Sequence, residues 1–131
     1  MSNKGIPTVA IAQILQTAGL GVLGTNIFVG FIPDGIEGIL IIDDPYGVPI
    51  DHNLPGYFSQ GEFQIVTRNK NLEDAKNLAY NVMDTLNINS RTVIGEVTVN
   101  FIRPNTLPIA FPRSGVNVND YSISFEINYY A

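Results

Sequence analysis

A strand joined to a helix by a short polar turn occupies residues 61–87, and no other part of the chain restricts the possible folds as strongly. The strand, 61–68, alternates apolar and polar residues. The helix, predicted from Leu72 to about Asn87, repeats apolar residues at the spacing of one buried face. These apolar positions are Leu72, Ala75, Leu78, Ala79, Val82, Met83 and Leu86. Such a strand and helix pack on each other, and neither carries a catalytic motif.

Both predicted helices have recognisable end signals. In the second helix, Asn71 is placed to cap the first turn, and Asp74 puts negative charge near the positive end of the helix dipole. An earlier helix is predicted over 8–18, with Pro7 near its first turn and Gly19 where a carboxy-terminal cap belongs. Its high apolar content predicts burial against the sheet or against a neighbouring subunit.

Four further strands complete the predicted fold. Residues 26–32 and 39–42 are predicted strands joined by a hairpin-like turn, and the second, being continuously apolar, is expected inside the sheet. In 96–103, Val97, Val99 and Phe101 are predicted to share one face, and 121–130 should pair antiparallel with that strand. The order α-β-β-β-α-β-β predicts an α+β fold with two helices on a mainly antiparallel sheet.

The order of these elements resembles that of the small tail-terminator (minor capsid) proteins of long-tailed bacteriophages. The residues that carry the resemblance are the strand 63–68, the helix with Ala75, Leu78, Ala79, Val82 and Leu86, a helix around Ile11 to Ala18, a strand ending at Pro33, and two closing strands. The resemblance covers most of the chain and implies one tail-terminator-like domain over 1–131.

The resemblance implies a structural virion protein without a cofactor. Tail terminators assemble as hexameric rings on the last ring of the tail tube, stop tube growth and present a surface to the head-completion protein. The implied partners are therefore further copies of the chain, the tail tube protein and the head-completion protein. The resemblance implies no sequence-specific nucleic-acid partner and no membrane, but a ring whose lumen DNA can pass through. The implied location is the tail or neck of a virion assembled in the host cytoplasm. A head-completion or tail-tube neck protein is the nearest alternative.

Length and composition agree with a single globular domain. The chain has 131 residues, 45% of them apolar and 15% charged, which is typical of a globular protein. It has no cysteine, so disulfides and thiolate metal sites are excluded. The net charge of −5 and the scattered basic residues disfavour nucleic-acid binding through a basic patch. In a ring, we expect carboxylates to outnumber basic side chains at the lumen, so that DNA does not adhere.

The segment from Gly5 to Pro33 contains no charged residue, which raises the question of a membrane span. Four glycines and several polar residues interrupt the segment, and the helical pattern stops at Gly19 after about 12 residues, where roughly 20 are needed. We therefore expect neither a span nor a secretion signal.

Two patterns suggest ligands without specifying one. Residues 19–24 match G-x-G-x-x-G, but a predicted helix precedes the glycines and a strand follows, the reverse of a dinucleotide site. Four potential metal ligands cluster in the loop 43–60: Asp43, Asp44, Asp51 and His52. A solvated acidic loop is favoured, and a small metal- or ligand-binding domain centred on 43–60 stays an alternative. No catalytic residues are indicated, so we expect no enzyme.

Two long proline-rich loops, 43–60 and 104–115, carry apolar residues that are hard to place in one small core. Exposed, they would form a protein contact surface; folded back, they would cover the sheet. The predicted contact residues are Ile50, Leu54, Tyr57, Phe58, Leu107, Ile109 and Phe111.

Overall fold

The computed structural model describes residues 7–32, 36–43, 59–111 and 119–130, and at residues 59, 60, 111 and 130 it describes the backbone alone. Within these ranges the chain forms two helices and seven strands. In chain order they are α1 (Thr8–Thr17), β1 (Ile27–Val29), β2 (Gly38–Ile42), β3 (Ser59–Asn69), α2 (Leu72–Thr85), β4 (Thr92–Ile94), β5 (Val97–Pro104), β6 (Ile109–Phe111) and β7 (Asn119–Tyr130). None of the described helices is long and apolar enough to cross a membrane.

All seven strands belong to one sheet, whose centre is the antiparallel pair β3 and β7. These strands pair from Ser59 opposite Tyr129 to Asn69 opposite Asn119. Beyond β3 lie β2 and then β1, and beyond β7 lie β5 and then β4. Strand β6 also pairs with β7, at its beginning, on the same side on which β5 pairs with its end. The sheet is mixed and mostly antiparallel, in agreement with the α+β class predicted from the sequence.

Both helices contribute to one apolar core against the sheet. The apolar stripe of α2 is buried as predicted, through Ala75, Ala79 and Val82, with Leu86 just past its end. The exception is Leu72, which is exposed. Side chains lean toward the amino end of a helix, so this first residue projects past the covered turns. Other core residues are Ile11, Leu15, Ile27, Ile39, Ile41, Phe63, Ile65, Ile123, Phe125 and Ile127.

The two aromatic side chains at the centre of the core come from the central strand pair. Phe63 and Phe125 lie directly opposite each other on β3 and β7. Their rings stack with centroids 5.1 Å apart and planes 10° from parallel. An aromatic cross-strand pair of this kind stabilises the sheet beyond the area it buries.

The predicted hairpin between β1 and β2 is wrong, because the two strands run parallel. Ile27 lies opposite Ile39, and Val29 lies opposite Ile41. Parallel neighbours normally need a long crossover connection. Here residues 30–37 suffice, since β1 has only three residues to retrace. The second strand lies inside the sheet, as its continuous apolar run predicted.

Two strands, β4 and β6, are absent from the predicted order. Four strands follow α2 instead of two, and β6 lies within the segment predicted to be a loop. Each of the two strands has three residues, too few to show an alternating pattern.

The predicted face of Phe101 is also wrong. Between Val99 and Phe101 the register of β5 against β7 shifts by one residue, which makes Asn100 the extra residue of a β-bulge. Phe101 therefore leaves the core face, and Ile102 is buried in its place. The Asn100 side-chain amide donates to the Asn128 side-chain oxygen at 2.7 Å and so links the bulge to β7.

Candidate assembly surfaces

The structure describes the side chains of two of the seven predicted contact residues. Leu107 is 67% exposed and Ile109 is 53% exposed, so both are accessible to a partner. Phe111 ends β6, where its backbone pairs with Asp120. The other four lie outside the described residues and stay a prediction: Ile50, Leu54, Tyr57 and Phe58.

The exposed residues Leu107 and Ile109 belong to an edge of the sheet that we call the β6 edge, residues 107–111. After β5 ends, the Asn105 N–H donates to the Ser124 carbonyl oxygen at 2.7 Å, which keeps the chain beside β7. Strand β6 then pairs with β7, with Ile109 opposite Ser122. Among the described residues, β7 is the only strand that pairs with β6, so the other side of β6 is open.

A second exposed apolar group lies at the opposite edge of the sheet, where the sequence did not predict one. We call it the β1 edge: Val22, Leu23, Val29 and Phe31. Phe31 is 71% exposed, the largest exposed fraction among the described large apolar residues. The available signal was the uncharged segment from Gly5 to Pro33. An absence of charged residues can indicate a protein interface as well as a membrane span, because charged residues are depleted at interface cores.

Hydrogen bonds from the preceding turn hold the start of β1 in place. The Ile27 N–H donates to the Val22 carbonyl oxygen at 3.1 Å, and the Gly24 N–H donates to the Ile27 carbonyl oxygen at 2.8 Å. The Asn26 side chain accepts from the Val22 N–H at 2.6 Å. The side chain of Gln16, in α1, accepts from the Leu23 N–H at 2.9 Å. The β1 edge is therefore fixed to α1 before any partner arrives.

On the sheet face opposite the helices, the central strands are joined by polar contacts. Thr67 donates to the Ala75 carbonyl oxygen of α2, so its neighbour Arg68 lies on the other face. Arg68 Nε donates to Asp120 Oδ1 at 2.9 Å, and Nη2 donates to Oδ2 at 3.2 Å. Both side chains are about a tenth exposed. This bidentate ion pair joins β3 to β7.

The two ligand patterns of the sequence gain no support within the described residues. The glycine-rich segment 19–24 follows α1 and precedes β1, so no helix amino terminus faces it from the following element. Of the four acidic-loop candidates, only Asp43 is described, and it is exposed. Asp44, Asp51 and His52 lie outside the described residues. Elsewhere in the described ranges no group of three potential metal ligands occurs.

With this geometry established, comparison with known proteins identifies the family. The sequence profile described as bacteriophage tail terminator protein matches residues 14–131, almost the whole chain. The chain belongs to this family. The resemblance inferred from the order of elements is confirmed, and the chain is a structural protein of a phage-like tail.

The fold is also similar to that of a solved structure. A chain from the virion of a native gene transfer agent (GTA) particle superposes with a TM-score of 0.69 and 17% sequence identity. The match covers 95% of each chain, and at this identity it shows the shared fold alone. No curated protein matches the sequence.

Proposed function

We propose that this tail terminator forms a closed homohexameric ring that caps the tail tube and joins it to the head-completion protein. In this role the 131 residues act as one domain, assembled in the host cytoplasm into the tail or neck of the virion. The observation that carries the proposal is the family match over residues 14–131. The partners are the tail tube protein on one face of the ring and the head-completion protein on the other.

The placement of the exposed apolar residues supports ring formation. The β1 and β6 edges lie on opposite sides of one sheet, and each carries large apolar side chains in contact with solvent. A chain with two different contact surfaces on opposite sides assembles head to tail, and such contacts close into a ring when the rotation between copies closes. Leu107 and Ile109 keep the contact role predicted from the sequence.

The charge of the chain supports passage of DNA through the ring. Each copy carries a net charge of −5. We propose that carboxylates outnumber lysine and arginine side chains at the lumen, so that the phosphates of DNA meet like charge and slide past. A ring structure whose channel has a net positive charge would contradict this part of the proposal.

The test combines oligomer mass with tube termination. Native mass spectrometry of the purified protein, at several concentrations, should show a discrete hexamer. Tail tube protein polymerised with the chain should give shorter tubes with a ring at one end by negative-stain microscopy, because the ring blocks further addition. A chain that leaves tube growth unchanged and binds only the head side would instead be a head-completion protein. A chain that copolymerises along the tube would be a tube protein.

The loop 43–60 supplies the remaining alternative, a metal- or ligand-binding domain. Titration with Ca²⁺ or Mg²⁺, followed by calorimetry, separates the two proposals. Tight stoichiometric binding by a protein that stays monomeric in the presence of tubes would favour the binding domain.

A further inference from the structure

The open side of β1 has its free backbone groups at one residue. In the parallel pair, the Ile39 N–H donates to the Asn26 carbonyl oxygen and the Gly30 N–H donates to the Ile41 carbonyl oxygen. Alternate residues of a strand direct their backbone N–H and carbonyl groups to the same neighbouring strand. The backbone groups of Phe28 therefore also point toward β2, while those of Ile27 and Val29 point away from it. Ile27 is already bonded to the turn 22–24. Within the described residues, Val29 therefore offers its N–H and carbonyl groups outward.

The same reasoning assigns the free groups of β6. The Asn105 N–H donates to the Ser124 carbonyl oxygen, so the even-numbered residues of β7 bond toward this side of the sheet. Ile109 and Phe111 lie opposite Ser122 and Asp120, so both direct their backbone N–H and carbonyl groups toward β7. Ala110, between them, directs its N–H and carbonyl groups away from β7.

Neighbouring parts of that side of the sheet are covered. Strand β4 pairs with the first half of β5, from Thr92 opposite Val99 to Ile94 opposite Val97. A backbone bridge from Ile88 covers Ile102. In the described part of the chain, two lengths of this side are without a further strand: β6 and the outer side of the three-residue β4. Of these two, β6 adjoins the central strand β7.

The two open edges are compatible in face and in direction. Val29 lies opposite Ile41, and Ala110 lies opposite Tyr121, and both of these partners belong to the helix-covered face. Strands β1 and β2 are parallel, β3 is antiparallel to them, and β7 runs in the direction of β1 again. Because β6 is antiparallel to β7, β1 and β6 run in opposite directions. A rotation about an axis along the strands changes neither the strand directions nor the face that the helices cover. Such a rotation can bring β6 of one copy beside β1 of the next, with the helices of both copies on the same side.

Charge also permits this contact. No charged residue occurs in the segment from Gly5 to Pro33, which contains β1, or in the segment from Pro104 to Pro112, which contains β6. Burying these two edges against each other therefore desolvates no charge. Absence of charge on both sides matches the composition of interface cores.

We infer that the β1 edge of one copy pairs with the β6 edge of the next by antiparallel strand addition, with Val29 opposite Ala110, so that the sheet continues from copy to copy. The inference rests on the proposed function, because it specifies how the ring closes. In this register Ile109 lies opposite Gly30 and diagonal to Phe28, on the face away from the helices. Phe31 and Leu107 flank the contact.

Disulfide trapping tests the register. Because the chain has no native cysteine, only the introduced cysteines can form a disulfide. Opposite residues that exchange hydrogen bonds in an antiparallel pair have Cα atoms about 5.5 Å apart, within disulfide range. Inside one copy the two positions are separated by four strand spacings, about 19 Å. The double variant Val29→Cys with Ala110→Cys should give, after mild oxidation, a ladder on a non-reducing gel that ends at the copy number of the ring.

Three control variants test whether the ladder depends on this particular pair of positions. Each single cysteine variant should stay monomeric on the gel, because equal positions of neighbouring copies are a whole subunit apart. The double variant Val29→Cys with Val93→Cys should also give no ladder, although Val93 is as exposed as Leu107 and lies on the same side of the sheet. A ladder in this control would mean that copies pair through β4 or collide at random, and either result would overturn the assigned register.

Proline variants test the hydrogen bonds. Ala110→Pro and Val29→Pro each remove an outward N–H and keep the bonds within the copy, as an edge strand tolerates. Each should raise the concentration for half-assembly by at least about tenfold. Ala110→Thr and Val29→Thr keep the N–H and should assemble. Circular dichroism checks that all four fold.

Mixing the two proline variants distinguishes this contact from a symmetric one. Ala110→Pro keeps an intact β1 edge and Val29→Pro keeps an intact β6 edge, so the mixture should form one-to-one heterodimers that grow no further. If both proline variants close rings like the parent chain, the inference is wrong and the proposed function stands. If the parent chain is monomeric alone and on tubes, the proposed function fails and the inference fails with it.

Discussion

At the scale of single residues, Gly38 fixes where β1 lies against β2. Its φ is +153°, and a methyl group on its Cα would collide with the backbone carbonyl oxygen of Asn26. That oxygen accepts the bond from the Ile39 N–H that starts the parallel pair, so it cannot move away without breaking the pair. The glycine thus supports the β1 edge, on which the proposed contact between copies depends.

Gly38→Ala should lower the free energy of unfolding by about 2–4 kcal/mol, through backbone strain plus overpacking. Gly95→Ala is the matched control, since Gly95 also has positive φ, +59°, but has open space around its Cα. It should cost only about 1–2 kcal/mol. Urea denaturation measures both. Equal losses would show that the contact with Asn26 is unimportant.

The buried ion pair between Arg68 and Asp120 makes a second prediction at this scale. Asp120→Asn should cost about 3–5 kcal/mol, because it leaves the guanidinium buried without its counter-charge. The control is Glu126→Gln in the pair with Arg103, where the closest atoms are 4.0 Å apart and both side chains are more exposed. That change should cost under about 1 kcal/mol. A similar loss in both variants by denaturant titration would contradict the difference in burial as the cause.

At the scale of elements, α2 begins at a cap that the sequence predicted. The Asn71 side-chain oxygen accepts from the Asp74 N–H at 3.2 Å. Asn71→Ala should therefore lower the free energy of unfolding by about 1 kcal/mol. Asn77→Ala, at an exposed position within the same helix, should be neutral or stabilise by up to about 0.5 kcal/mol. Thermal unfolding followed by circular dichroism compares them, and equal effects would argue against the cap.

Elements with a long periodic signal were predictable from the sequence, and pairing decisions were not. The alternation of β7 and the stripe of α2 are repeated over several turns or residue pairs, so both appear within the described ranges close to their predicted bounds. The parallel direction of β1 brings the Asn26 carbonyl oxygen close to Gly38, a contact between distant residues that no local pattern reveals. The bulge at Asn100 is hidden because Phe101 continues the apparent alternation of Val97 and Val99.

The exposed apolar surface was half predictable for a similar reason. Leu107 and Ile109 stand out because they are apolar residues between prolines, where a core is hard to build. Val29 and Phe31 lie in a long apolar segment, where the sequence does not distinguish a buried side chain from an exposed one. Only the placement of β1 at the edge of the sheet separates Val29 from the buried Ile27.

At the scale of the whole molecule, assembly should couple to stability. If rings form between folded copies, mass action stabilises the fold as protein concentration rises. The midpoint of thermal unfolding should increase with concentration for the parent chain and should not change for Ala110→Pro. Differential scanning fluorimetry over a hundredfold concentration range measures this. A midpoint independent of concentration in both proteins would mean that the ring is too weak to affect folding.

The central position of β7 also sets the time at which the molecule becomes competent to assemble. Every other described strand precedes β7 in the chain, yet β7 joins β3 on one side to β5 and β6 on the other. During synthesis the ribosome releases β1 and β6 before the strand that aligns them exists. Sheets that depend on such distant pairings form late and slowly. If copies assemble through these two edges as proposed, a nascent chain has no aligned pair of edges to offer its neighbours. The order in which the sheet is made would then protect polysomes from premature polymerisation.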